Sequence, residues 1–139
     1  MKIFKLFKKF DKQNGQSLVE FALVMPILLI FIMGMIEYGW ILNAKINLTS
    51  AAREGIRTAV VSTDDRSTKA FTAASTAVSG VSGLTLINDT QHYKYYEVLD
   101  EVDNVRNAVV EIKGNVKPIV GIFVGDPFVI ESKAVMRIE

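Results

Sequence analysis

The sequence predicts an α+β protein. It reads as a long N-terminal transmembrane helix followed by a small domain of one helix and a three- to four-stranded antiparallel sheet. Three observations carry this. Residues 21–36, FALVMPILLIFIMGMI, hold no charged side chain. From Trp40 to Ala59 small apolar residues recur at three- and four-residue spacing, the period of one helix face. Beyond Leu84 the chain breaks into short runs of β-branched and aromatic residues separated by turn residues. Three parts result: a basic leader over 1–15, a long helix over 16–61, and an exported α+β domain over 62–139.

The bulk numbers bound the function. The chain has 139 residues, room for one small domain. Half of it is hydrophobic, and the excess lies in the first third. A net charge of +1 argues against nucleic acid as a partner. The absence of cysteine excludes disulfides, thiolate metal sites and cysteine nucleophiles.

In the leader, Lys2, Lys5, Lys8, Lys9 and Lys12 face one acid, Asp11, with phenylalanine and leucine between them. Such a flank lies on a membrane surface and orients the next segment with its lysines in the cytoplasm. Residues 18–36 then span roughly 28 Å as a helix, close to the thickness of a bilayer core. Tyr38 and Trp40 fall at the far interface, where aromatic rings are favoured. Pro26 and Gly34 lie inside the run, where a membrane helix uses them for a kink or a packing surface rather than a stop. Nothing interrupts residues 37–61, so the helix is expected from about Ser17 to Val61. Its stripe of Trp40, Ala44, Leu48, Ala51, Gly55 and Ala59 must pack on something.

A polar turn, STDDRSTK, follows, with Ser62 or Thr63 as the expected cap. Phe71, Ala74, Val78 and Val81 predict a second, shorter amphipathic helix that ends at Gly80 and Gly83. LTLI, YKYYEVL, NAVVEIKG and FVIESKAVMRIE read as strands, with turns at Asn88–Asp89 and at 125–127. In the last strand Phe128, Ile130, Ala134, Met136 and Ile138 share one face, and the charged residues mostly take the other. A fragment from about Lys45 onward is expected to be water-soluble.

No catalytic constellation emerges, and neither a cofactor nor a small-molecule substrate is expected. His92 is the only histidine, and Asp100, Glu101 and Asp103 lack the glycine and terminal glutamate of a calcium loop. They read as a solvated acidic turn. Asn47-Leu48-Thr49 and Asn88-Asp89-Thr90 fit the glycosylation triplet, a pattern short enough to arise by chance. An enzyme is not expected; a membrane-anchored or assembling protein is.

Glu20 stands at the start of the apolar run, where a carboxylate is costly. Three readings are open. It snorkels to the headgroups; it marks the boundary of the segment; or it has a charge partner. If the chain were cut after Gly15, Gln16 would carry a new ammonium one helical turn from Glu20. That amine could cap its own helix or pair with the carboxylate of a neighbouring chain.

Lys8-Lys9…Gly15-Gln16-Ser17-Leu18-Val19-Glu20-Phe21 resembles the class III signal of type IV prepilins. The longer stretch is similar to the TadE-like pseudopilins of tight-adherence (Flp) pilus systems. The matching pieces are Val19-Glu20-Phe21-Ala22-Leu23, Pro26, Ile36-Glu37-Tyr38-Gly39 and Ala51-Ala52-Arg53-Glu54-Gly55-Ile56-Arg57. The ending Ala134–Glu139 is similar to the closing strand of that family. The resemblance implies a non-enzymatic minor pseudopilin in the cytoplasmic membrane. It implies cleavage by a prepilin peptidase after Gly15 and export of the C-terminal domain. The implied partners are other pilins or pseudopilins and the pilus assembly platform. Glu20 and Phe21 would then serve assembly. Two features depart from the pattern: phenylalanine follows Glu20 where major Flp pilins favour tyrosine, and glutamine replaces the phenylalanine that often begins a mature type IV pilin. The alternatives are a signal-anchored exported binding domain that is never cut, and a pseudopilin of a type II secretion or competence system.

Overall fold

A computed structural model describes residues 12–87, 93–100 and 105–138, with side chains from residue 15 onward. The elements run α1 (Lys12–Val61), α2 (Arg66–Val78), β1 (Leu84–Leu86), β2 (Tyr93–Asp100), β3 (Val105–Val116) and β4 (Phe128–Arg137). The expected α+β order is therefore observed, with four strands. Residues 1–11 of the amphipathic leader, the Asn88–Asp89 turn, His92, Glu101, Asp103 and Glu139 lie outside the described residues. The chain forms two compact units, divided between Ile36 and Glu37.

The first unit contributes the first half of α1. The helix is already formed at Lys12, ahead of the expected Ser17, and it runs through Pro26 without ending. Every side chain from Gln16 to Met33 is exposed. A helix apolar on all sides and bare of protein contacts matches hydrocarbon rather than water as its surroundings.

In the second unit α1 continues as the central core helix. Ala44, Leu48, Ala51, Ala52, Ile56 and Ala59 are buried, and Gly55 lies on the same face. The small-residue stripe read from the sequence is thus the packing face, widened by Ala52 and Ile56. Its smallness has a use: a Cβ on Gly55 would sit 2.8 Å from the carbonyl oxygen of Ala70 and 3.3 Å from the Cβ of Ala74. Glycine lets α1 and α2 approach backbone to backbone. Helix α2 answers with Ala70, Ala74 and Val78, spaced one turn apart and all buried.

The start of α2 differs from expectation. Its N-cap is Asp65, in the left-handed region with φ 48° and ψ 50°, and no side chain caps it. The Ser62 hydroxyl is already used, donating to the carbonyl of Thr58 in the last turn of α1 at 2.8 Å. The helix ends at Val78, so Val81 lies beyond it while still packing on the core.

β3 is the spine of the sheet. β4 pairs antiparallel with it from Asn107 to Val116 and so occupies one whole edge. β2 pairs with Val105–Ile112 and β1 with Gly114–Val116, so these two share the other edge end to end. Ala108, Val110, Ile112, Gly114 and Val116 form the buried face of β3. Leu48 of α1 approaches this face at Gly114. Tyr93 of β2 donates its hydroxyl to the Ser67 carbonyl of α2 at 2.6 Å and meets Phe71 edge-on at 5.0 Å. The opposite face carries cross-strand ion pairs, Lys133–Glu111 at 3.1 Å and Lys113–Glu131 at 3.3 Å. That polarity suits a sheet face left to water.

β4 corrects one detail of its predicted inner face. Ser132 is buried between Ile130 and Ala134, whereas Met136 is exposed. The serine is tolerated because its hydroxyl donates to Thr49 Oγ1 at 3.2 Å, and Thr49 donates onward to the Lys45 carbonyl at 2.8 Å. Met136 instead lines an open cleft with Arg53 and Arg57.

Candidate functional site

Two places carry features that packing alone does not require: the start of the apolar helix and the start of the second unit. At the first, Gln16 and Glu20 stand one helical turn apart. The Gln16 side-chain amide donates to Glu20 Oε1 at 3.3 Å. Both are exposed, as are Gly15 and Phe21. Pro26 and Gly34 lie inside the unbroken helix. The described geometry therefore presents Glu20 on an uncovered surface, with one oxygen engaged by a neutral donor of its own chain.

At the second place, Glu37 follows directly on the uncharged run and is only 1% exposed. A carboxylate so buried must be compensated. Three successive backbone N–H groups of the loop between β3 and β4 do this. Ile119 donates to Oε1 at 3.2 Å, Val120 to Oε2 at 2.7 Å and Gly121 to Oε2 at 3.3 Å. Consecutive amides thus converge on one carboxyl group, and at Gly121, the last donor, the chain turns through the left-handed region with φ 67°.

Trp40, one turn further on, secures the same loop. Its indole N–H donates to the Lys117 carbonyl at 3.1 Å, and its ring packs on Gly83. Of the two aromatics expected at a membrane interface, Trp40 is thus engaged within the second unit. Tyr38 is the exposed one, at 69%. In the sequence Glu37 stands out only as the acid that ends the apolar run and as part of a family-like stretch. The available signal was a segment free of charge, Pro118–Gly125, that is neither strand nor helix and needs something to hold it.

Two polar networks complete the surface. The Arg66 guanidinium donates to Glu97 Oε1 at 2.8 Å and, with the Tyr95 hydroxyl, holds the Glu97 carboxyl below its ordinary value. The Tyr96 hydroxyl and then Lys133 do the same for Glu111. Burial raises the Tyr93 hydroxyl above its ordinary value. These contacts clamp one element to another. Among the described residues no group of three or more histidine, aspartate or glutamate side chains is gathered tightly enough to hold a metal ion.

Among the described residues, one apolar helix long enough to cross a bilayer continues as the core helix of a small α+β unit, which fits the class of helix-anchored, single-pass proteins. Within that class, residues 15–57 match the family described as TadE-like protein. The match begins at Gly15, takes in Glu20, Glu37 and Trp40, and stops within the buried part of α1. It bears out the resemblance to TadE-like proteins read from the motifs, over the residues matched. Searches of curated proteins and of solved structures returned no match.

Proposed function

We propose that this chain is a minor pseudopilin that takes part in assembling or anchoring a tight-adherence pilus, without catalysing a reaction. The observation that carries the reading is the family match over the helix that is bare at one end and core-forming at the other. A bare apolar helix holds the protein in the cytoplasmic membrane. The same surface can later pack against the helices of other pilins, exchanging lipid for protein contacts of similar polarity.

In this reading the lysine-rich leader stays in the cytoplasm and the α+β unit lies outside. A prepilin peptidase cuts after Gly15, and Gln16 becomes an ammonium. That ammonium replaces the neutral amide contact now made to Glu20 and pairs with the carboxylate of a neighbouring chain, setting the register of the helices. Pro26 and Gly34 shape the packing surface between them. The assembly platform and other pilins are the partners.

The test is the mature N-terminus. Mass spectrometry of the protein from native membranes should find Gln16 as the first residue. An intact Met1 would favour the uncut, signal-anchored alternative instead.

A further inference from the structure

Residues 118–125, Pro-Ile-Val-Gly-Ile-Phe-Val-Gly, form an eight-residue stretch without a charge between Lys117 and Asp126. Ile119, Ile122 and Phe123 are 55%, 70% and 49% exposed, so the loop leaves its apolar side chains uncovered. The outer face of the sheet treats its surface differently. On the outer sheet face exposed valines are interspersed with Lys113, Glu111, Glu131 and Lys133. The loop is also held firmly at its base, by Glu37 through three amides and by Trp40 through Lys117.

The identity of the anchoring residue says what covers the loop. Glu37 is the residue immediately after the uncharged run that ends at Ile36, on the same continuous helix. A segment bonded to the Glu37 carboxylate is held at the level where the helix leaves hydrocarbon. Apolar side chains at that level lose contact with water by entering the interfacial layer, as the apolar faces of interfacial helices do. The neighbouring Tyr38 is exposed and of the residue type favoured at that depth.

We propose that the β3–β4 loop is a second membrane contact, with Ile119, Ile122 and Phe123 seated in the lipid leaflet into which the span emerges. Glu37 sets the depth of this contact. The inference rests on the membrane-spanning reading of residues 18–36 and is independent of processing or pilus assembly.

The full chain contains no cysteine, so single cysteines can be introduced without removing others. Leu28→Cys, Ile122→Cys, Phe123→Cys and Val98→Cys, each labelled with an environment-sensitive fluorophore, are reconstituted into phosphatidylcholine vesicles carrying nitroxide lipids. Labels at 122 and 123 should be quenched severalfold more by nitroxides near the headgroups than the label at 98. The label at 28 should be quenched by nitroxides deep in the acyl chains. Quenching at 122 and 123 no greater than at 98, with 28 quenched, overturns the loop contact and leaves the span intact. Absence of quenching at 28 overturns the span and the proposal with it. Blue-shifted emission at 122 and 123 that lacks lipid quenching and fades on dilution assigns the loop to a second copy, which also overturns it. Adding Glu37→Gln should lower quenching at 122 while leaving 28 unchanged; unchanged quenching at both would refute the depth-setting role of Glu37.

Discussion

Glu37 and Val120 are 83 residues apart in sequence, and the Val120 amide donates to the Glu37 carboxylate at 2.7 Å. With the amides of Ile119 and Gly121 it closes a cage around a carboxyl group that is only 1% exposed. Removing the carboxylate strands those amides. Glu37→Ala in the detergent-solubilised chain should therefore cost about 3 kcal/mol of stability. Glu37→Gln, which keeps one acceptor oxygen, should cost less. Amide exchange at Val120 should accelerate in both, and unchanged exchange in the alanine variant would contradict the cage.

The position of Trp40 changes where the soluble unit begins. A fragment starting at Lys45 lacks Glu37, Trp40, Ile41 and Ala44, of which Ala44 is buried and Trp40 and Ile41 pack on the core. A fragment from Glu37 should be more stable than one from Lys45 by about 3 kcal/mol, the low end of the cost of losing a buried tryptophan, because Trp40 is only partly buried. Urea titration followed by circular dichroism compares them directly. Equal midpoints would mean that Trp40 packs only loosely.

Two glycines in α1 should respond with opposite signs to the same substitution. Alanine is better than glycine in a helix by about 1 kcal/mol. At Gly39 a Cβ meets nothing within 4 Å, so Gly39→Ala should stabilise. At Gly55 it meets the Ala70 carbonyl at 2.8 Å, so Gly55→Ala should destabilise by about 1–3 kcal/mol by prising α2 away. A gain at both sites would show that the helices can separate freely.

Acid should loosen the sheet's polar clamps. Glu97, held down first by Arg66, and Glu111, held down first by Tyr96, both have folded values below the ordinary 4.5. A carboxyl lowered in the folded state contributes stability that is complete above its unfolded value. That contribution fades as pH falls below 4.5 and through the folded value. The melting temperature of the fragment from Glu37 should drop between about pH 6 and about pH 3, and Glu97→Gln with Glu111→Gln should reduce the drop. The effect should be modest and weaken with salt, because both groups face solvent. An identical drop in the double variant would place the acid sensitivity elsewhere.

Glu20 separates tolerance from use. If the carboxylate only snorkels, Glu20→Leu should be harmless or insert better. If it pairs with the freed Gln16 amine of a neighbour, Glu20→Leu should insert and be cut normally yet fail to co-assemble with pilins. Glu20→Gln should show a smaller defect, and Gly15→Leu should fail earlier, at cleavage. Wild-type piliation in Glu20→Leu would refute the pairing.

The sequence by itself determined whatever is written in local periodicity and composition. The charge-free run of 21–36 specified a helix that seeks hydrocarbon, because every face of it is apolar. The spacing of Ala44, Leu48, Ala51, Gly55 and Ala59 specified the packing face, because a helix returns to the same side every three to four residues. Alternation in Phe128–Arg137 specified a half-buried strand. Tertiary structure alone decided that β1 and β2 share one edge of β3, and that Ser132 turns inward to Thr49. It also decided that Glu37 is the clamp of a loop far along the chain. The physical reason is the same for the strand edge and for the clamp. Their partners are backbone N–H and C=O groups, which nearly every residue carries, so no side-chain pattern marks them before the chain has folded.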